Sequence, residues 1–139
     1  MEILLHRRIT KAECPTATKN VAVNLRNREK AIKSAAYGPL NPQEANTEFW
    51  NAKAKRWDVS IEEAKKSLCG NCVAFDVSPR MKDCMPIPDE EIKGPGEFGY
   101  CWMHQFKCFS KRTCTTWASG GPITKDESSH KWQKKNKES

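Results

Sequence analysis

The stretch Cys69-Gly70-Asn71-Cys72-Val73-Ala74-Phe75-Asp76 decides how this chain reads, together with Gly99-Tyr100-Cys101-Trp102-Met103-His104 and Thr113-Cys114-Thr115-Thr116-Trp117. Six of the seven cysteines lie between Cys69 and Trp117, spaced C-x2-C-x11-C-x16-C-x6-C-x5-C. A C-x-x-C pair turns two thiolates toward one metal centre, and cysteines from distant loops complete its coordination. Phe75, Phe98, Tyr100, Trp102, Phe106, Phe109 and Trp117 are interleaved with these sulfurs. A zinc ribbon needs few such rings. An iron–sulfur cluster uses them, because burial and hydrogen bonds to sulfur set its potential.

The rest of the composition agrees with a stapled core. Of 139 residues, 37% are hydrophobic and 29% charged, which suits one domain with a small apolar interior. Interiors of that kind usually need a metal or disulfides. The net charge of +7 reads as a basic, soluble surface rather than a nucleic-acid interface. No apolar run approaches a membrane span, and Ile3 to Leu5 is too short for the core of a signal peptide. The expected setting is therefore the cytoplasm, where disulfides are rare and metal ligation is common.

Ahead of the cysteines the chain reads as helical from about residue 20 to 68. Val21, Leu25, Ile32 and Ala36 suit one helical face, and a helix is predicted from about Asn24 to Ala36. The run Tyr37 to Pro42 ends it, with Gly38 as a left-handed cap and Pro39 and Pro42 as breakers. A second helix begins near Thr47 and places Trp50, Ala54 and Trp57 on one face, with Lys53, Lys55 and Arg56 outward. Core packing is the first reading of these tryptophans, and stacking on nucleic acid is the alternative. Ser60 and Glu63 form a capping box for a third helix whose buried side is Ile61, Ala64 and Leu68. Cys14 stands far from the other cysteines and reads as a single thiol.

Within the cysteine-rich part, residues 69–124, proline and glycine dominate the connections. Ser78-Pro79 and Met85-Pro86-Ile87-Pro88 mark loops on either side of Cys84. Asp89, Glu90 and Glu91 read as a solvated acidic patch, and Gly94-Pro95-Gly96 as a turn. Phe98 to Cys101 is the predicted strand. Residues 125–139 are rich in Lys, Ser and Glu and read as a flexible charged tail. The predicted architecture is a small, irregular α+β domain over 1–124, with short N-terminal helices ahead of a loop-rich, metal-stapled region with short strands.

The run Trp57 to Phe75, with its C-G-N-C-V-A-F, and the later G-Y-C resemble the cluster-binding half of high-potential iron–sulfur proteins. Carried over, that resemblance implies a [4Fe-4S] cluster held by Cys69, Cys72, Cys84 and Cys101, and one-electron transfer with a redox partner protein. The family places an aromatic residue three positions after its last ligand, where this chain has His104; Cys114 has Trp117 at that offset. The fourth ligand therefore stays open between Cys101 and Cys114, and Cys108 is a further sulfur the family lacks. A ring-lined pocket with few hydrogen bonds to sulfur would favour the oxidised 3+/2+ couple over the low-potential one. Members of the family are mostly exported, which departs from the cytoplasmic expectation.

A second resemblance spans more of the chain. Y-G-P-L-N-P at 37–42, F-W at 49–50, R-W-D at 56–58 and T-C-T-T-W-A-S-G-G-P-I-T are similar to a group of small bacteriophage-encoded proteins. It implies the infected host cytoplasm or the virion as the setting, with virion proteins as partners. The competing reading of the residues is a Cys3His zinc site made of Cys69, Cys72, Cys101 and His104, serving a structural or binding module. Catalysis is not expected, because Cys101 and His104 have no Asn or Asp to complete a nucleophile–base pair.

Overall fold

Helix, turn and strand follow one another as the local sequence dictates, in the computed structural model that describes residues 13–41, 43–85 and 96–136. The elements are α1 (Thr16–Lys19), α2 (Val21–Ala35), α3 (Thr47–Trp57), α4 (Ile61–Lys66), β1 (Phe75–Asp76), α5 (Pro79–Cys84), β2 (Phe98–Cys101), β3 (Phe106–Phe109) and α6 (Asp126–Asn136). The fold is thus a small mixed α+β structure around one three-stranded sheet. Its strands run antiparallel in the order β1-β2-β3, with Phe75 opposite Cys101 and Gly99 opposite Cys108.

Asn20 starts α2 by accepting a hydrogen bond from the Val23 amide, and Ala36 ends it in the left-handed conformation. The expected cap at Gly38 is displaced by two residues. Gly38 instead pairs with Thr113 as an isolated bridge, donating to and accepting from it. The α2 face packs on β3 through polar as well as apolar contacts. Asn24 accepts from the Lys107 amide at 2.7 Å, Asn27 donates to the Gln105 carbonyl at 2.7 Å, and Tyr37 meets Phe106 edge-on at 4.9 Å.

The pair α3 and α4 forms a second, smaller core. Trp50, Ala54 and Ala64 are buried there against Phe49, Trp57 and Leu68. Ser60 caps α4 by accepting from the Glu63 amide at 3.1 Å, as the capping pattern predicts. Two expectations fail on these helices. Ile61 is exposed rather than inward, and Lys53, predicted to point outward, is 3% exposed.

The segment read as a flexible charged tail is corrected by α6, which docks on the sheet. Asp76, fully buried in β1, accepts from the Trp102 indole at 2.9 Å and from the Ser129 hydroxyl at 2.6 Å. Arg80 of α5 donates to that same hydroxyl and to Gln133, each at 2.7 Å. A polar network therefore ties α5, α6 and the sheet together, and composition alone does not reveal it. Ser78-Pro79 opens helix α5, with Ser78 as its cap, instead of a loop. The expected loop from Pro86, the acidic patch and the Gly94-Pro95 turn lie outside the described residues.

Candidate metal centre

Five free, buried cysteines, Cys69, Cys72, Cys101, Cys108 and Cys114, come together at one end of the sheet. They line a single cavity with Phe75, Met103 and Trp117. Its space, counted with the open solvent at its mouth, is about 270 Å³, and only about 10 Å³ of it is cavity in the usual sense. Sulfur, ring and thioether surface make up its walls.

Each sulfur is placed by a different piece of backbone. Cys69 opens a 3-10 turn, Cys69–Asn71, and its amide donates to the Arg112 carbonyl at 2.6 Å. Gly70 donates to the Ser110 carbonyl at 3.0 Å, so the turn is fastened along the chain that follows β3. Cys72 follows directly, its amide donating to the Cys69 carbonyl at 2.9 Å. Cys101 ends β2 opposite Phe106 and Cys108 sits in β3 opposite Gly99, so the antiparallel register makes the two cysteines diagonal neighbours. Cys114 follows Thr113, whose bridge to Gly38 anchors it to the end of α2.

The chain beyond Trp117 closes the site from outside. The Trp117 indole donates to the Leu68 carbonyl at 2.9 Å and to Asn71 Oδ1 at 2.8 Å. Val73 donates to the Ala118 carbonyl at 2.8 Å. Gly121 then passes so close that a Cβ there would overlap the Cys72 carbonyl. The S-G-G-P run is thus a contact requirement as well as a turn.

Backbone amides meet three of the sulfurs. The His104 amide donates to Cys101 Sγ at 3.4 Å, and the Ala74 and Ala118, Met103 and Thr116 amides favour the thiolates of Cys72, Cys101 and Cys114 respectively. At Cys72, Cys101 and Cys114 alike, one donor stands two residues after the cysteine, the arrangement that stabilises a thiolate.

Burial and mutual contact set the acidity of each thiol. Cys101 is held below its ordinary value, first by a hydrogen bond from Cys108 and then, against burial, by the His104 and Met103 amides. Cys108 is pushed well up, by burial first and then by its contacts with Cys101 and Cys69. Burial raises Cys72, and it pushes Cys114 up to about 11 although Thr116 pulls the other way. Burial thus favours the protonated thiol at Cys72, Cys108 and Cys114 alike.

Of the predicted ligands, Cys69, Cys72 and Cys101 are brought together and Cys84 is not. Cys84 sits at the end of α5 in a disulfide with Cys14, with Cα atoms 5.7 Å apart. The expectation that Cys14 is a single thiol falls with the same bond, and the bond runs counter to the reducing cytoplasm expected from the sequence. The alternatives Cys114 and Cys108 do line the cavity. His104 contributes its backbone amide to Cys101, while its half-buried imidazole meets the Thr116 hydroxyl at 2.8 Å. Burial lowers that imidazole. Thr116 also touches Cys114 Sγ at 3.0 Å. The Cys3His set is therefore not assembled. Among the described residues, no three His, Cys, Asp or Glu side chains are grouped as the ligands of one metal ion.

No family model matches the chain, and neither a curated protein nor a solved structure matches it. Among the described residues, no helix is long and apolar enough to cross a membrane.

Proposed function

We propose that the chain binds a [4Fe-4S] cluster through Cys69, Cys72, Cys101 and Cys114 and serves one-electron transfer, with Cys108 as a protonated thiol behind the ligands. One observation carries this reading: five unpaired cysteine sulfurs from separate segments line one apolar cavity under Phe75, Met103 and Trp117. A cluster takes one thiolate at each of its corners, so its ligands line a volume. A single zinc ion draws its ligands to a point at about 2.3 Å. The lining of one cavity by five cysteines is what supports the first arrangement. A disulfide framework accounts for Cys14 and Cys84 and leaves the other five unexplained.

A bound cluster supplies reversible one-electron chemistry, and the remaining work is done by the chain. Cys108, lying deepest and raised most clearly by burial, keeps its proton and hydrogen-bonds to Cys101, which lowers that thiol toward the ligating form. The amides at Cys72, Cys101 and Cys114 stabilise negative charge on sulfur, which favours a more reduced centre than a site poor in such bonds. Phe75 and Trp117 limit water. Four thiolates leave no open coordination position, which supports electron transfer to a partner protein over substrate turnover.

The test is metal analysis of anaerobically purified protein with cysteine variants beside it. The wild type is expected to be brown, with about four irons and four sulfides per chain. C72S, C101S and C114S lose iron, while C108S and C84S retain it. Colourless protein holding one stoichiometric zinc overturns the reading. If the iron centre is present but shows no reversible couple by voltammetry, it staples the fold and does not carry electrons.

A further inference from the structure

Lys53 is the residue the sequence places at the surface and the fold places inside. Its side chain is 3% exposed, its ammonium donates to the Ala36 carbonyl at 3.0 Å, and the Phe49 ring centroid lies 4.7 Å away. A carbonyl and a ring are partial partners for a cation; a buried charge normally takes an anion. Burial, the largest influence, lowers the Lys53 ammonium below its ordinary value; a charge on Cys114 works against that and Arg56 adds to it.

The backbone explains why Cys114 is the anion within reach. Ala36, which holds the ammonium, lies in a segment clamped to the cysteine's own. Ala35 accepts from the Thr115 amide at 2.8 Å, and Gly38 is bridged to Thr113. The Ala36 carbonyl that holds the ammonium thus belongs to a segment, 35–38, hydrogen-bonded to the stretch Thr113-Cys114-Thr115.

We infer that Lys53 is the charge-compensating residue of the thiolate centre: its fixed ammonium offsets the negative charge that the cysteines bring into the interior, and so sets the centre's reduction potential. The inference rests on the cluster reading above. Each charge alone is costly in a low-dielectric interior, and each relieves the other. Reduction adds one negative charge, so a nearby cation favours the reduced form. Lys53 touches no reacting atom. Its role is positional and electrostatic.

The experiment is the midpoint potential of the anaerobically purified, full-length holoprotein with Lys53→Met, Lys53→Gln and Lys53→Arg. Gln keeps a donor for the Ala36 carbonyl and covers the case in which Met fails to fold. The neutral variants are expected to lower the reduced-to-oxidised ratio at fixed potential by about tenfold, a fall of about 59 mV for one electron. Arg is expected to keep the wild-type value. A second readout is iron retained after dialysis against a chelator, which should fall in Met and Gln and hold in Arg. An unmoved midpoint in Met or Gln, with iron intact, overturns the role of Lys53 and leaves the cluster reading standing. Wild-type protein without iron overturns both.

Discussion

Ser129→Ala removes one hydroxyl from the interface between α6 and the sheet, and that hydroxyl serves two charged partners at once. It donates to Asp76 Oδ2 at 2.6 Å and accepts from Arg80 at 2.7 Å, with Ser129 fully buried. A hydrogen bond to a charged group contributes about 1.5–3 kcal/mol, and leaving such a group without it in the interior costs a comparable amount. Asp76 retains the Trp102 indole and the Ser78 amide, each at 2.9 Å, so the loss stays partial. The expected destabilisation is about 3 kcal/mol, or roughly 10 °C in Tm for a domain of this size. Urea and thermal unfolding followed by circular dichroism measure it, with Ser128→Ala on the same helix as control. Limited proteolysis should also show faster cutting within 125–136 in the variant. A Ser129→Ala protein within about 0.5 kcal/mol of wild type, a size ordinary for surface changes, would refute the polar lock.

Three further outcomes are expected. Cys84→Ser removes a crosslink spanning a sequence separation of 70, worth about 4 kcal/mol by loop-closure entropy, yet leaves iron content unchanged. Urea unfolding with and without reductant measures the first, and iron loss in that variant would return Cys84 to the ligand set. Gly121→Ala forces a Cβ into the Cys72 carbonyl and is expected to cost about 2 kcal/mol or more, together with iron retention, by thermal unfolding and metal analysis. Burial first, with the Cys108 and Cys69 charges adding, raises the Tyr37 phenol above its ordinary value of 10.0, while Arg112 and the Phe109 amide oppose. The fold thus prefers the neutral phenol, so this contribution is present below pH 10.0 and is lost as pH rises beyond it. Tyr37→Phe should flatten the fall in stability above that pH; an unchanged slope in pH-dependent urea melts would refute the assignment.

Local signals were legible where local physics decides the structure. The strand Phe98–Cys101, the Ser60 cap and the helix Thr47–Trp57 follow from alternation, capping chemistry and helical spacing within a few residues. The cysteine spacing likewise marked Cys69, Cys72, Cys101, Cys108 and Cys114 as candidates. Which of them share a cavity was not legible, because spacing does not determine connectivity. Cys84 lies in the same cysteine-rich stretch yet pairs with Cys14, 70 residues away, because α5 turns it aside.

Helix α6 and Lys53 show the same division in sharper form. Asp126–Asn136 is strongly polar, so no apolar periodicity announces a docked helix; what holds it is a network of Asp76, Arg80, Trp102 and Ser129 from distant segments. Lys53 sits on a helix whose pattern points it to solvent, and the return of Ala36 supplies the carbonyl that its ammonium meets inside. The sequence by itself determined short-range order and the supply of thiols, since both depend on neighbouring residues. The tertiary structure decided which sulfurs face one another and which polar groups are buried, because those outcomes depend on partners brought together by long-range packing.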